Sequence, residues 1–282
     1  MSRISARFKE LSKKGEGALI AFVTAGDPKP EFTPKIVEAL SKHTDIIELG
    51  IPFSDPIADG PTIQKASDRA LKSNTTPKTV REIIKKIRKM NDVPLVVMTY
   101  YKIVFKNGVD EFVKSFAAAG MDGIIVPDLP VEEAGELLKA TRRNGVDLIL
   151  MAAPTPTPER LKLICKKSSG FLYLISRTGV TGAREALPED LPVLARRVRR
   201  FTKLPLAVGF GISQPAHVAV LGGIADAAVV GSALVAEIEK AANAKEAAEN
   251  VAGRIRALKR AAREAGGDRG DRGARACAIA QN

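Results

Sequence analysis

The stretch PLVVMTYYKIVFKNGVDEFVKSFAAAGMDGIIVPD, residues 94–128, contains the repeating unit that decides the fold. It begins with the apolar, β-branched run 94–100, continues with an amphipathic segment at 109–119, and returns to an apolar run at 123–128. Short apolar runs are typical of strands, and apolar residues at every third or fourth position are typical of helices. Because a continuously apolar strand is covered by helices on both faces, this stretch predicts a β-α-β unit of a parallel sheet.

The same alternation extends along most of the chain. Eight apolar runs are strand candidates, at residues 18–24, 45–49, 94–100, 123–128, 147–152, 171–176, 205–210 and 226–231. Helical periodicity marks the stretch after Pro30 and residues 79–90, 109–119, 131–144, 158–168, 191–201, 214–221 and about 244–265. Eight β-then-α units favour an α/β protein built as a single (β/α)₈ barrel, the TIM barrel. An open doubly wound sheet stays the alternative, since periodicity cannot show closure.

The composition is typical of a soluble globular protein, with 45% hydrophobic and 27% charged residues in a chain of 282. No apolar run approaches the roughly 18 to 20 residues of a membrane span. Residues 1–17 alternate apolar and charged side chains, which predicts an extra N-terminal amphipathic helix instead of a signal peptide. Two cysteines, Cys165 and Cys277, imply no disulfide framework, so the expected location is the cytoplasm.

The net charge of +12 raises the question of nucleic-acid binding. Many basic residues fall on helix-like segments such as 81–90 and 194–200, which is typical of solvated helix faces. Aromatic residues are few and are not interleaved with basic ones, as a base-stacking surface requires. The segment 266–282 is Gly- and Arg-rich and predicts a disordered tail behind one catalytic domain at residues 1–265. Nucleic acid and membrane are therefore not expected partners.

Glu48 is an acid in the middle of the apolar run DIIELGI. A buried carboxylate without a partner raises its pKa, and a pKa near neutrality suits a general acid or base. The alternative is a Glu that reaches solvent or pairs with a Lys. Residues 47–64 then read as a long loop with three prolines and the acids Asp55 and Asp59. Long loops on barrels are usually functional, although Asp-Gly and Asp-Pro steps also serve ordinary turns.

The string IELGIPFSDPIADGPTIQ, residues 47–64, closely resembles the signature segment of the tryptophan synthase α subunit family. Four further motifs lie in the family's order and at its spacing: FVTAGDP at 22–28, VPDLP at 126–130, SRTGVTGAR at 176–184 and GFGIS at 209–213. The resemblance spans roughly residues 19–259, and five ordered motifs make it specific.

The resemblance implies retro-aldol cleavage of indole-3-glycerol phosphate to indole and glyceraldehyde 3-phosphate. It assigns Glu48 as the catalytic acid–base that protonates indole C3. It assigns Asp59 as the carboxylate that binds the indole N–H and stabilises the positive charge on the ring. Two acids in different environments suit this chemistry, because the carbon–carbon bond breaks only when the ring becomes an electron sink. Tyr173 matches an active-site tyrosine near the Glu, and Thr181 matches a threonine that meets the Asp when the loop 178–189 closes.

The resemblance also maps two binding regions. The indole pocket corresponds to Phe22, Ile63, Met98, Tyr100, Ile125 and Phe210, for each of which core packing is the competing explanation. Glycine-bearing turns after the late strands can present backbone N–H groups to a phosphate, and the competing explanation is that they are only tight turns. The phosphate candidates are Gly182, Gly211, Ile212, Gly231 and Ser232. Ser232 is also expected to cap the helix that begins there.

A partner follows from the resemblance as well. The family's α subunit joins a pyridoxal-phosphate-dependent β subunit, expected here as an α₂β₂ heterotetramer, and indole passes to it through a tunnel to be joined to serine. No cofactor is expected in this chain, and His43 and His217 are isolated, so no metal site is predicted. Lys102 replaces an asparagine usual on the β-facing surface, which bears on coupling more than on chemistry. Lys42-His43-Thr44 also departs from the family, at the far end of its strand, and is expected to be functionally quiet.

Three competing functions are weighed against this lyase. A regulatory barrel that binds phosphate ligands with little turnover has no need of both Glu48 and Asp59. Another phosphate-binding barrel enzyme, such as a sugar-phosphate isomerase, does not require an apolar pocket beside two acids. A nucleic-acid role for the basic tail is the least favoured. The expected activity is therefore a carbon–carbon lyase of tryptophan biosynthesis.

Overall fold

The structure is a computed structural model that describes residues 1–175, 190–209 and 211–267. The strands in these ranges are β1 (Ala18–Thr24), β2 (Ile46–Gly50), β3 (Leu95–Met98), β4 (Gly123–Ile125), β5 (Asp147–Ile149), β6 (Met151–Ala152), β7 (Leu172–Leu174), β8 (Leu206–Val208) and β9 (Ala227–Val230). The helices are α1 (Arg3–Lys13), α2 (Phe32–Ser41), α3 (Pro61–Lys72), α4 (Pro77–Arg88), α5 (Tyr101–Lys106), α6 (Val109–Ala119), α7 (Gly135–Arg143), α8 (Pro158–Lys167), α9 (Leu191–Arg199), α10 (Pro215–Leu221), α11 (Ser232–Lys240) and α12 (Ala244–Gly267). All eight strand candidates are confirmed, and the fifth is divided at Leu150.

The strands form one parallel sheet in the order β5-β4-β3-β2-β1-β9-β8-β7-β6. Its two ends, β5 and β6, belong to one segment of chain and are separated only by Leu150. The Leu150 carbonyl accepts the backbone N–H of Tyr173 at 3.1 Å, which continues the hydrogen bonding from this segment to β7. The sheet therefore closes on itself as an eight-stranded barrel, and the open doubly wound alternative is wrong.

The predicted N-terminal helix is α1, and it closes one end of the barrel. Its Ile4, Phe8 and Leu11 belong to the same buried cluster as the inward-facing strand residues. The ring of Phe8 lies 5.9 Å from that of Phe171, between centroids. Since alternate strand residues face inward, the interior of the barrel is a packed core and not a channel. The loops at the opposite end, where the strands finish, are therefore the expected place of a site.

Aspartates at the starts of strands stabilise the closed end of the barrel through hydrogen bonds and ion pairs. Asp45, Asp122 and Asp226 accept the backbone N–H groups of Leu19, Leu95 and Leu206 at 2.6, 2.8 and 2.7 Å. Each aspartate also receives at least one cationic side chain: Arg7 and Lys259 reach Asp45, Arg3 and Arg88 reach Asp122, and Arg199 reaches Asp226. These acids satisfy polar groups that the short strands leave unpaired. Their role is structural, at the end of the barrel away from the strand termini.

Two helices were not expected from the sequence. The sequence predicts a loop after the second strand that extends through residues 61–64, but α3 begins at Pro61, which a helix tolerates in its first turn. The short helix α5 follows β3 directly and has no periodicity long enough to detect. As a result, the segment that carries Asp59 is confined to residues 51–60 between β2 and α3.

The remaining expectations concern the far end of the barrel and the tail. Residues 42–44 lie immediately before β2, at the closed end, as expected. α12 continues to Gly267, and the predicted tail beyond it lies outside the described residues. Among the helices of the described ranges, none is both long and apolar enough to span a membrane.

Candidate active site

Glu48 projects into the barrel from β2. Its register neighbours are Phe22 on β1 and Val96 on β3, and Ile46 two positions earlier belongs to the interior cluster. The side chain is 1% exposed, and Oε2 has no hydrogen-bond partner in the part of the chain that the structure describes. Burial, reinforced by the nearby charge of Asp59, raises the pKa of Glu48 to about 8. The expected burial of Glu48 and its raised pKa are confirmed, and Glu48 holds a proton at neutral pH.

Asp59 is held over Glu48 by the loop between β2 and α3. The loop turns on a hydrogen bond from the Asp59 N–H to the Pro56 carbonyl at 3.0 Å, and the Gln64 side chain donates to the Asp59 carbonyl at 2.8 Å. The hydroxyl of Tyr100 donates to Asp59 Oδ2 at 2.8 Å. Burial raises the pKa of Asp59 to about 6, and the Tyr100 hydrogen bond opposes that effect. At neutral pH the site therefore combines a protonated Glu48 with an ionised Asp59.

Tyr173 reaches the same space from the opposite wall of the barrel. Burial, and then the charges of Glu48 and Asp59, raise the pKa of the Tyr173 phenol well above its usual value. A Cβ atom added at Gly209 would lie only 2.1 Å from the Tyr173 hydroxyl oxygen. Gly209, which belongs to the GFGIS motif but received no role from the sequence, thus makes room for the tyrosine.

This close approach leads to a stability prediction for Gly209→Ala. We expect the free energy of unfolding in urea to fall by about 1–3 kcal/mol, since the added methyl overpacks the site against the Tyr173 ring. Gly253→Ala is the matched control, because a Cβ there meets nothing within 4 Å and alanine favours the helix. If Gly209→Ala were as stable as the Gly253→Ala variant, the close contact would be wrong.

Three of the predicted indole-pocket residues come together beside the carboxyl pair. Phe22, Ile63 and Met98 pack in one cluster with Ala66 and Val235. Phe22 is the register neighbour of Glu48, so this apolar wall adjoins the acid directly. The cluster draws on β1, α3, β3 and α11, which is why no local pattern in the sequence identifies Ala66 and Val235 as members.

The other pocket candidates in the described residues, Ile125 and Tyr100, lie outside this cluster. Ile125 is fully buried in the barrel interior, in the cluster against which Met98 and Tyr173 pack. Tyr100 is not a purely apolar wall, because its hydroxyl contacts Asp59 and accepts the Ala58 N–H at 3.0 Å. Phe210 lies outside the described residues.

Four of the five phosphate candidates follow two adjacent strands, β8 and β9. Gly211 has φ +63°, a left-handed conformation that favours glycine, and Ile212 beside it is 2% exposed. Gly231 is the N-cap of α11, and a Cβ there would lie 3.4 Å from the Phe22 ring. The first N–H groups of α11 therefore lie beside the apolar wall. Free N–H groups at a helix N-terminus are suited to bind an anion. The expected capping role of Ser232 is wrong, because it is the first helical residue and makes no side-chain cap bond.

Two of the predicted residues, Thr181 and Gly182, lie in the stretch 176–189, outside the described residues. Within the described ranges, no group of three or more His, Cys, Asp and Glu side chains is arranged to hold a metal ion.

An ion-pair network behind the site was not identified from the sequence. Arg69 on α3 pairs with both oxygens of the buried Asp27, at 2.7 and 2.9 Å, and with Glu239 on α11 at 2.8 Å. It joins the turn after β1 to the two helices that supply Ile63 and Val235 to the apolar wall. Asp27 stands in the motif FVTAGDP, which is the only sequence signal; Arg69 reads as an ordinary polar-face residue.

The comparison with known proteins agrees with this geometry. A family model described as "Tryptophan synthase alpha chain" matches residues 8–263. The chain belongs to the tryptophan synthase alpha chain family. Membership places it in tryptophan biosynthesis and does not favour the regulatory alternative.

Individual alpha chains are similar over most of their length. The alpha chain of Methanocaldococcus jannaschii is 52% identical over 239 residues, 84% of this chain and 85% of that protein. The alpha chain of Solibacter usitatus is 51% identical over 249 residues, 88% of this chain and 92% of that protein. The solved Mycobacterium tuberculosis tryptophan synthase superposes with a TM-score of 0.86 at 35% identity, covering 93% of this chain and 98% of that one.

Lys102, which the resemblance indicates as a departure from the family, lies beside two aromatic rings. Its Nζ lies 5.9 Å from the centroid of the Phe53 ring, and that ring lies 5.1 Å from the ring of Tyr100. Lys102 therefore places a cation next to an aromatic pair at the rim of the site.

Proposed function

We propose that this chain cleaves indole-3-glycerol phosphate by a retro-aldol reaction into indole and glyceraldehyde 3-phosphate. The observation that carries the proposal is a pair of buried carboxyls with separated pKa values, about 8 for Glu48 and about 6 for Asp59. Two interacting acids whose environments hold one protonated and the other ionised suit divided acid and electrostatic roles. The apolar wall and the α11 N-terminus beside them match a substrate with an indole ring and a phosphate.

In the first step the Glu48 carboxyl gives its proton to indole C3. The ring then carries a positive charge, and its N–H faces the Asp59 carboxylate, which stabilises that charge. Because both groups are shielded from water, this electrostatic contribution is larger than it would be in solution.

In the second step the Glu48 carboxylate takes the proton from the hydroxyl on the carbon attached to C3. The carbon–carbon bond breaks, its electron pair returns to the ring, and the hydroxyl carbon becomes the aldehyde of glyceraldehyde 3-phosphate. Glu48 ends the cycle protonated, so no step requires a metal or an organic cofactor from this chain. Tyr173 lies close enough to sense both charges and is proposed to orient Glu48.

The substrate's ends are assigned to the surrounding groups. The indole ring would occupy the space beside Phe22, Ile63 and Met98. The phosphate would meet the turn at Gly211 and Ile212 and the N-terminus of α11 at Gly231 and Ser232, with Thr181 and Gly182 as further candidates. A dianion at a helix N-terminus is favoured by the free N–H groups and the helix dipole.

A direct assay tests this function. The purified chain is mixed with indole-3-glycerol phosphate, and released indole is measured with and without a β subunit. Release in either condition supports the lyase. Absence of release in both, from protein shown to be folded, would refute it.

The pH dependence of indole release is a separate prediction. The active form has Asp59 ionised and Glu48 protonated, so kcat/KM should rise as pH increases past about 6 and fall as it increases past about 8. Measurement of initial rates from pH 5 to pH 9 gives the two limbs, which belong to the coupled pair as a whole. A profile that rises steadily to pH 9 would contradict the role of protonated Glu48.

We further propose that the open end of the barrel binds a pyridoxal-phosphate-dependent β subunit in an α₂β₂ assembly, within the cytoplasm. Ile57, 79% exposed, and Phe105, 69% exposed, support this surface. They follow β2 and β3, which are adjacent in the sheet, so both lie at the end where the strands finish. Large exposed apolar side chains at one end of a protein are typical of a protein interface.

Phe105→Asp should weaken the complex with the β subunit by about tenfold or more, since aromatic side chains at interfaces often contribute over 1 kcal/mol. Titration calorimetry of the purified subunits measures the change in Kd. Met90→Asp is the control: this residue is 45% exposed but follows the end of α4, at the closed end of the barrel. Equal effects of the two substitutions would argue against the proposed surface.

A further inference from the structure

Tyr100 connects the end of β3 to the loop that carries Asp59. Its hydroxyl oxygen accepts the backbone N–H of Ala58 at 3.0 Å and donates its own proton to Asp59 Oδ2 at 2.8 Å. The residue is 3% exposed, so water does not compete freely for either bond. A phenol carries one proton, and once its oxygen accepts from Ala58 that proton is directed at Asp59.

The backbone of Tyr100 is held independently of the loop that carries Asp59. Tyr100 is the N-cap of α5, and its carbonyl accepts the N–H groups of Ile103 and Val104 at 3.0 and 3.4 Å. The Phe53 ring, which belongs to the same loop as Asp59, packs on the Tyr100 ring at 5.1 Å between centroids. The β3–α5 junction therefore fixes the backbone of Tyr100, and the loop contacts both its ring and its hydroxyl.

We propose that Tyr100 is a positioning residue for Asp59, whose hydroxyl occupies Oδ2, leaves Oδ1 to meet the indole N–H, and keeps the carboxyl ionised. This inference rests on the proposed lyase function and adds a specific role to a residue that the sequence assigned only to the apolar pocket. A carboxylate that rotates freely would present either oxygen to the indole ring. When a hydroxyl holds one oxygen, the other oxygen points in a defined direction.

The electrostatics of the site support this geometry. The groups that face Asp59 are Tyr100 itself, Glu48 from β2 and Tyr173 from β7, while Asp128 faces Tyr100 from the turn after β4. Of these, the Tyr100 hydrogen bond lowers the pKa of Asp59 against the larger effect of burial. The charge of Asp59 in turn raises the pKa of Glu48. Loss of the Tyr100 hydroxyl therefore changes the protonation of both carboxyls.

Tyr100→Phe tests the role, because it removes one oxygen and retains the ring. We expect kcat to fall about tenfold or more, as for loss of a hydrogen bond to a charged group, with KM changed less than about threefold. The acid limb of the kcat/KM profile should move to higher pH, since the ionised Asp59 has lost a donor. Tyr101→Phe is the control, because no hydrogen bond joins its hydroxyl to any other described residue. A raised KM with unchanged kcat and pH profile would mean that Tyr100 only lines the pocket, and would overturn the proposal.

A double-mutant cycle with Asp59→Asn tests whether Tyr100 acts through Asp59. In the Asp59→Asn background, Tyr100→Phe should lower kcat by less than about twofold, because coupled residues are not additive. Effects that multiply would show that Tyr100 acts independently of Asp59 and would overturn the inference.

A readout without turnover separates this inference from the proposed function. Protein labelled with ¹³C at aspartate carboxyls is titrated by NMR, and the Asp59 signal is assigned from its loss in Asp59→Asn. The Asp59 midpoint should be higher in Tyr100→Phe than in the wild type. If the wild type released no indole, the lyase would be refuted while a higher midpoint still supported the Tyr100 contact. An unchanged midpoint would overturn the Tyr100 role whatever the activity.

Discussion

Glu48→Gln should lose about 10³- to 10⁴-fold in kcat for indole release, because the variant can neither donate the proton to C3 nor accept one from the hydroxyl. Gln keeps the shape of the side chain in a site that is 1% exposed, so packing around it is preserved. The dissociation constant for the substrate should therefore change little, which single-turnover and binding measurements can separate from kcat.

The matched control for Glu48→Gln is Asp59→Asn. We expect it to reduce turnover too, but the Asn side chain can still meet the ring N–H through its amide oxygen, so the loss should be smaller. A Glu48→Gln variant with kcat within tenfold of the wild type would exclude Glu48 as the acid–base. If its only defect were weak substrate binding, Glu48 would be a binding group.

Stability should change in the opposite direction to activity in Glu48→Gln. The pKa of Glu48 is raised from 4.5 to about 8 in the folded chain, so the folded state binds more protons than the unfolded state between these values. The free energy of unfolding of the wild type is therefore reduced as pH rises from about 4.5 to about 8 by this group. The Glu48→Gln variant has no carboxyl to ionise at this position. Its free energy of unfolding relative to that of the wild type should therefore increase over the same pH range.

Asp45→Ala should have the largest effect on stability. Asp45 is 1% exposed and accepts three groups: Lys259 Nζ at 2.6 Å, Arg7 Nη2 at 2.6 Å and the Leu19 N–H at 2.6 Å. Its removal leaves the ammonium of Lys259 on α12, itself 5% exposed, without its closest partner, and the remaining carboxylate near it is Glu16 at 4.0 Å. Breaking a buried pair in this way costs about 3–5 kcal/mol, a large fraction of a typical domain's stability. Urea unfolding at pH 7 measures the loss.

Two comparisons test the Asp45 prediction. Asp110→Ala removes an exposed pair with Arg143, whose side chains are 60% and 63% exposed, and should cost less than about 1 kcal/mol. Lys259→Met in the Asp45→Ala background should recover part of the lost stability, because the uncompensated charge is gone. A loss under about 1 kcal/mol in Asp45→Ala would show that the buried pair contributes little. At temperatures where the variant remains folded its kcat should be normal, since Asp45 lies at the closed end.

The sequence by itself determined the eight strands. A strand covered on both faces is apolar throughout, so each strand is visible as a short, continuously apolar run. It also determined that Glu48 is anomalous, since an acid inside an apolar run has few physical explanations. The family resemblance, and not the periodicity, supplied the reaction and identified Asp59 as the second catalytic carboxylate beside Glu48.

Closure of the sheet, and the environment of each acid, were decided only in three dimensions. Three features bring together residues that are far apart along the chain or on different elements. They are the closure of the sheet through Leu150, the space that Gly209 leaves for Tyr173, and the contact of Tyr100 with Asp59. Burial and neighbouring charge set the pKa of a carboxyl, and both are properties of the packed barrel. For that reason the sequence could indicate Glu48 and Asp59 as candidate catalytic residues. Only the folded chain shows that Glu48 is the protonated acid and Asp59 the ionised carboxylate.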